Sequence, residues 1–140
     1  MKFYQKEIKL KPHPRGFHLI TDQITNTMGE IKHINMGLLQ IFIKHTSASL
    51  TLNENADPTV RLDFESHMNK MVPEDAPYYL HDYEGSDDMP AHIKSSLMGA
   101  SVQIPITNGR LNLGVWQGVY LCEHRNNASG RNLVLTAFGV

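Results

Sequence analysis

The chain predicts an α+β fold: a mixed, largely antiparallel β-sheet with short inserted helices. Three features of the sequence predict it. Short runs of alternating apolar residues occupy both ends of the chain, a helical period replaces them between Asp57 and Pro73, and the helical stretches fall between strands without regular βαβ alternation. At 140 residues, with no internal repeat or low-complexity linker, the chain forms one domain over residues 1–140.

Phe3–Leu10 reads as an edge strand stopped by Pro12 and Pro14, and Gly16–Ile20 as a second strand. Asp22 holds the position of an N-cap, with Ile24, Met28 and Ile31 at helical spacing up to a break at Asn35–Gly37. Leu38–His45 then places Leu39, Ile41, Ile43 and His45 on one face, and a further strand beyond Thr46 and Ser47 carries Leu50 and Leu52. Asp57-Pro58 is an N-cap followed by proline at the first helical position, and Val60, Phe64, Met68 and Met71 share one stripe until Pro73.

Residues 73–88 are rich in Asp and Glu and show no period, which predicts a long surface loop of the kind that carries function in compact domains. Pro90 opens a short helix with Ile93 and Leu97 inward and Gly99 closing it. The last third is sheet: Ser101–Ile106, a type I′ hairpin signal at Asn108-Gly109, one long strand Leu111–His124, an Asn- and Gly-rich turn, and Asn132–Phe138.

Composition narrows the function classes. Hydrophobic residues make up 41% and charged residues 19%, enough apolar material for a packed core. Thirteen Lys and Arg against fourteen Asp and Glu leave a formal charge of -1. That balance supplies no field for drawing in nucleic acid or anionic lipid, and no strand combines basic and aromatic residues as an RNA-binding sheet does. The single cysteine, Cys122, forms no internal disulfide and no thiolate zinc site by itself, so it reads as a buried thiol in a reducing compartment. Charged residues interrupt the N-terminal ten, and no run reaches the roughly 18 apolar residues of a membrane span. The expectation is a soluble, cytoplasmic chain.

Eight histidines are the unusual figure. Four stand at element ends or in the acidic loop: His45, His81, His92 and His124. Ligands converging from separate segments are what a zinc-like site needs, although no H-E-x-x-H or Cys-x-x-Cys spacing demands one. His13, His18, His33 and His67 read as hydrogen-bonded structural residues. A helix N-terminus disfavours imidazolium, so His92 is expected to stay neutral, which is the ligating form. Asp88 is either a partner or ligand at that site or the plain N-cap of the helix. Trp116 and His124 lie about 27 Å apart along an unbroken strand. Trp116 is therefore either a core aromatic or a group presented to the histidines of a neighbouring subunit. Lys94 and Arg125, beside two of the histidines, are the cations placed to meet a phosphate.

The segments His45-Thr46-Ser47-Ala48, Asn53-Glu54-Asn55-Ala56-Asp57-Pro58, Asp88-Met89-Pro90-Ala91-His92-Ile93-Lys94, Gly114-Val115-Trp116-Gln117 and Cys122-Glu123-His124-Arg125 together resemble the YjbQ-like family, also called secondary thiamine-phosphate synthase enzymes. Val115 replaces a threonine usual in the family and so removes a hydroxyl. The resemblance implies a compact α+β homotrimer with a histidine-lined, metal-binding site near the subunit boundary. It also implies the joining of a hydroxymethylpyrimidine diphosphate to a thiazole phosphate with loss of diphosphate.

On that reading His45, His81, His92 and His124 would hold a divalent metal, zinc or magnesium. His45, Asp88 and Glu123 would serve catalysis, while Thr46, Ser47, Lys94, Arg125, Trp116 and Gln117 would contact a small phosphorylated substrate. The alternative is a homotrimer that binds a metal or small molecule without turnover.

Overall fold

The structure, a computed structural model, describes all of residues 1–140. In chain order the elements are β1 (Lys2–Leu10), β2 (Gly16–Leu19), α1 (Thr21–Thr27), a 3-10 turn (Gly29–His33), β3 (Met36–Ile43), β4 (Ala48–Glu54), α2 (Pro58–Met71), α3 (Asp88–Met98), β5 (Ser101–Thr107), β6 (Arg110–Leu111), β7 (Gln117–Glu123) and β8 (Arg131–Gly139). The α+β class holds, but the strands divide into two sheets. Five strands run in the order β1-β8-β3-β5-β6 and three in the order β2-β7-β4, and every pairing is antiparallel.

Alternation explains the layering. The inward residues of the large sheet, among them Leu39, Ile41, Ile43, Ile104, Ile106, Leu133 and Leu135, meet Ala48, Leu50, Val119 and Leu121 of the small sheet. Ile24, Met28, Ile31 and Ile34 from α1 and the turn after it plug the end of this core. The other face of the small sheet buries Phe17, Tyr120 and Cys122 against Met68 of α2. Both faces of β7 are therefore covered, and its residues from Gly118 to Glu123 are all buried.

Several local expectations hold. The Asp57 carboxylate accepts a hydrogen bond from the Thr59 N–H, with Pro58 in the first helical turn. Asn108 and Gly109 take φ of 51° and 78°, the pair of positive values that a two-residue type I′ turn between β5 and β6 requires. Gly99 closes α3 at φ 103°. Cys122 is fully buried.

Four expectations are corrected. Asp22 is not an N-cap: the chain enters α1 directly from β2, Ile20 holds the cap position, and Thr21 Oγ1 accepts from the Val119 N–H. The stretch 111–124 is not one strand. A turn closed by the Gln117 N–H on the Gly114 carbonyl, and by the Gly114 N–H on Gln117 Oε1, carries the chain from one sheet to the other. Met71, at the end of the α2 stripe, is 52% exposed. In α3 the inward residues are Asp88, Pro90, Ala91, Lys94 and Ser95, while Leu97 is exposed and Ile93 half-buried. The helix begins two residues before Pro90, and its underside packs on polar groups.

Candidate metal centre and its surroundings

The polar underside of α3 builds the site. His81, near the end of the long loop, and Asp88 and His92, one turn apart on α3, bring their ligand atoms within 4.8 Å of one another. Asp88 is 1% exposed, whereas the two imidazoles are partly open. His81 Nε2 donates to Asp88 Oδ2 at 2.7 Å, and His92 Nε2 stands 3.4 Å from Asp88 Oδ1. The two rings lie 5.3 Å apart between centroids.

Asp88 is not the cap of α3. Asp87 precedes the helix, and the Asp88 side chain turns to His81, His92 and Arg125 instead. Burial by itself would raise its carboxyl, but the His81 hydrogen bond and the positive charge of Arg125 outweigh it and hold Asp88 below the usual carboxylate range. Arg125 donates from Nε to Asp87 Oδ2 at 2.9 Å, from Nη1 to Asp88 Oδ1 at 2.6 Å and from Nη2 to the Glu84 carbonyl at 2.9 Å. These bonds tie the loop, α3 and the end of β7 together.

The donor set fits a divalent metal. His92 Nδ1 donates to the Thr46 carbonyl at 2.9 Å, which fixes the tautomer and leaves the Nε2 lone pair turned toward Asp88. His81 would give up the proton it now shares with Asp88. Two imidazoles and one carboxylate are a nitrogen-rich donor set that would suit zinc better than magnesium.

The other two histidines do not join this set. His45 lies two residues past β3, and its Nε2 accepts the Asn132 N–H at 2.8 Å. Burial, helped by the charges of Arg131 and Lys44, pulls its pKa down, so the ring is neutral with Nδ1 as the donor. It shares with Thr46, His92, Ser95 and Ser96 a cavity of about 420 Å³ beside the trio. His124 is 1% exposed and shares a 2.8 Å hydrogen bond between its Nε2 and the Ser49 hydroxyl. Burial and the charges of Lys94, Arg15 and Arg131 push it down to about 3. It is a structural, neutral imidazole.

Lys94 is not a surface cation either. It is 1% exposed, and its Nζ donates at 2.8 Å to the Asn69 amide oxygen, which also takes a hydrogen bond from Arg15. Glu123 is fully buried and held by Arg131 through two bonds of 2.7 and 2.6 Å, with a third from the Arg125 N–H. It is committed to that pair rather than free to move a proton. Ser47 is nearly buried beside Arg131, and Thr46 is exposed.

Trp116 is 64% exposed in the turn before β7, which overturns its reading as a core aromatic. Gln117 borders a separate cavity of about 450 Å³ with Thr21, Asp22 and Asn55. That cavity and Glu123 lie at opposite ends of β7, about 20 Å apart. Within one chain Trp116 and Gln117 therefore stay away from the histidines. His13 and His18 engage the carbonyls of Lys11 and Pro14, as expected of structural residues.

Three residues that matter were not singled out from the sequence: Asp87, Ser49 and Arg131. Arg131 had a signal, since it shares the parity of Leu133, Leu135 and Ala137, and period-2 burial puts it on the inner face of β8.

The YjbQ-like UPF0047 family model matches residues 6–140. The UPF0047 protein YjbQ of Salmonella typhimurium is 54% identical over 137 residues, covering 98% of this chain and 99% of that protein. Its Escherichia coli O157:H7 counterpart is 50% identical over the same length and coverage. A crystal structure of an uncharacterized YjbQ/UPF0047 protein from Clostridium acetobutylicum is 36% identical and superposes with a TM-score of 0.84 over 95% of this chain and 99% of that one. A YbjQ-like protein of unknown function from Sulfolobus solfataricus reaches 0.87 at 22% identity, over 99% of both chains, and shows the fold alone. The chain thus belongs to the YjbQ-like UPF0047 family.

Proposed function

We propose that the protein is a metal-assisted enzyme acting on a small phosphorylated substrate, with His81, Asp88 and His92 as the metal ligands. The convergence of these three side chains within 4.8 Å, with the His92 tautomer set by the Thr46 carbonyl, carries the reading. A bound divalent ion would supply Lewis acidity toward phosphoryl oxygens. Arg125, immobilised by Asp87 and Asp88, stands beside it as a fixed cation for departing negative charge. His45, neutral with its Nδ1–H as donor, shares the neighbouring cavity with Thr46 and Ser96, which together can orient a polar substrate, while the Ser95 hydroxyl is taken by the Ala48 carbonyl.

The finer form of the proposal is thiamine-phosphate formation. The bond from the pyrimidine methylene to diphosphate breaks, the thiazole nitrogen bonds to that carbon, and diphosphate leaves with the electron pair. We also propose a homotrimer, in which a neighbour's exposed Trp116 and Gln117 reach the histidines of this subunit. Light scattering should then give three times the 15.8 kDa chain mass, and a monomer throughout would overturn it.

The test of function is metal analysis of untagged protein, followed by assay of the pyrimidine diphosphate and thiazole phosphate pair and of a panel of phosphate esters. Wild type should hold about one metal per chain and turn over, and His92→Ala should lose both. One observation favours a second reading, a non-catalytic binding protein: Glu123, Lys94 and His124 are all consumed by internal partners. Bound metal with no turnover of any substrate would select it.

A further inference from the structure

We infer that the cavity between Arg131 and the 126–129 turn is a subsite for a phosphate-sized oxyanion. The cavity holds about 230 Å³ and is lined by Ser47, Arg125, Arg131 and the turn residues Asn126, Asn127, Ala128 and Ser129. Arg131 is 7% exposed. Its Nε and Nη2 are fixed on the two oxygens of Glu123, and Nη2 also reaches the Ser47 carbonyl at 3.4 Å. Its Nη1 has no partner in the chain. Every fully enclosed side-chain nitrogen or oxygen does have one, so Nη1 must face open space, and the space beside it is this cavity.

A guanidinium locked along one edge by a carboxylate, with its remaining nitrogen presented to a cavity, is a preorganised donor that loses little freedom on binding. The turn adds more donors. The Asn126 N–H is taken by Asp87 and the turn at Asn126–Asn127 folds the Ala128 N–H back toward the Arg125 carbonyl, but the N–H groups of Asn127 and Ser129 have no acceptor in the chain. Asn127, at φ 53°, lies in the left-handed region, where successive N–H groups of a turn can converge on an anion. The Ser47 and Ser129 hydroxyls complete a donor-rich wall.

Arg125 joins this cavity to the His81–Asp88–His92 trio, because the residue lines the one and its guanidinium bonds Asp88 in the other. The subsite therefore deepens the proposed reading of a phosphorylated substrate, and it rests on that reading for the substrate's identity. It does not rest on it for anion binding, which needs no metal.

The experiment is a titration of metal-free, full-length 15N-labelled protein with inorganic phosphate, followed by amide NMR. Saturable shifts are expected at Asn127, Ala128 and Ser129, and His92→Ala should retain them. Ser129→Asp places a carboxylate in the cavity from an exposed position and leaves the Glu123–Arg131 pair intact. It should weaken phosphate at least tenfold. Absence of saturable shifts in wild type, or undiminished binding in Ser129→Asp, would overturn the subsite. Phosphate binding in a wild-type protein that takes up no metal would uphold the subsite and reject the metal reading.

Discussion

Arg125 Nη1 donates to Asp88 Oδ1 at 2.6 Å, so one arginine neutralises the carboxylate of the His81–Asp88–His92 trio and also lines the neighbouring cavity. Arg125 and Arg131 face Asp87, Asp88 and Glu123, a local formal sum of -1. A divalent ion on His81, Asp88 and His92 turns that sum to +1. Phosphate should then bind several-fold more tightly to metal-loaded than to metal-free protein, and phosphate should raise metal affinity by the same factor. Titrations in both orders check the equality, and equal phosphate affinity with and without metal would show the sites to be uncoupled.

His81→Ala and His92→Ala should each lower metal affinity by more than tenfold, because each deletes one of the three proposed ligands. His45→Ala and His124→Ala should leave it within about twofold, since neither ring belongs to the trio. Metal content after dialysis separates the two pairs.

Stability should fall below neutral pH through His124. Its folded value of about 3 lies well below the ordinary 6.5, so between these values the unfolded chain binds the extra proton. The full contribution is present above pH 6.5 and is lost as pH falls toward 3. At pH 4.5 the loss is about 3 kcal/mol. Urea unfolding of wild type and His124→Gln at pH 7 and 4.5 checks it: the variant should show the smaller drop.

Glu123 has no exposure and depends on Arg131. Arg131→Met strands that carboxylate and should cost about 3–5 kcal/mol. Glu123→Leu made in the same chain should restore most of the loss, because two apolar side chains then fill the space of the pair. A double-mutant cycle by denaturant unfolding measures the recovery.

Features governed by one turn of chain were legible in the sequence. The Asp57 cap, the Asn108-Gly109 turn and the inward row of Leu39, Ile41 and Ile43 each follow from contacts within a few residues. What was not legible depended on distant partners. Lys94 and Asp88 face inward on α3 because Asn69, His81 and Arg125 arrive from other elements to satisfy them, and an apolar-stripe rule chose Ile93 and Leu97 instead. The sheet-to-sheet crossing at Gly114–Gln117 hides inside a run whose alternation reads as one strand, since the side-chain hydrogen bond that closes it leaves no period.

Position along the chain cannot separate a histidine ring facing a cavity from one sealed behind Ser49. Of the four candidate histidines, the structure brings His81 and His92 together with Asp88 as the third member of the cluster, and leaves His45 beside it and His124 beneath the surface.

Cys122, the only thiol in the chain, is wholly enclosed between the small sheet and α2, and burial pushes it up to about 12. For chemical labelling the folded protein is thus silent toward maleimides. A cysteine introduced at exposed Ser129 or Trp116 can carry a dye or spin label with no background, and the native thiol reports by its first alkylation the moment the interior opens.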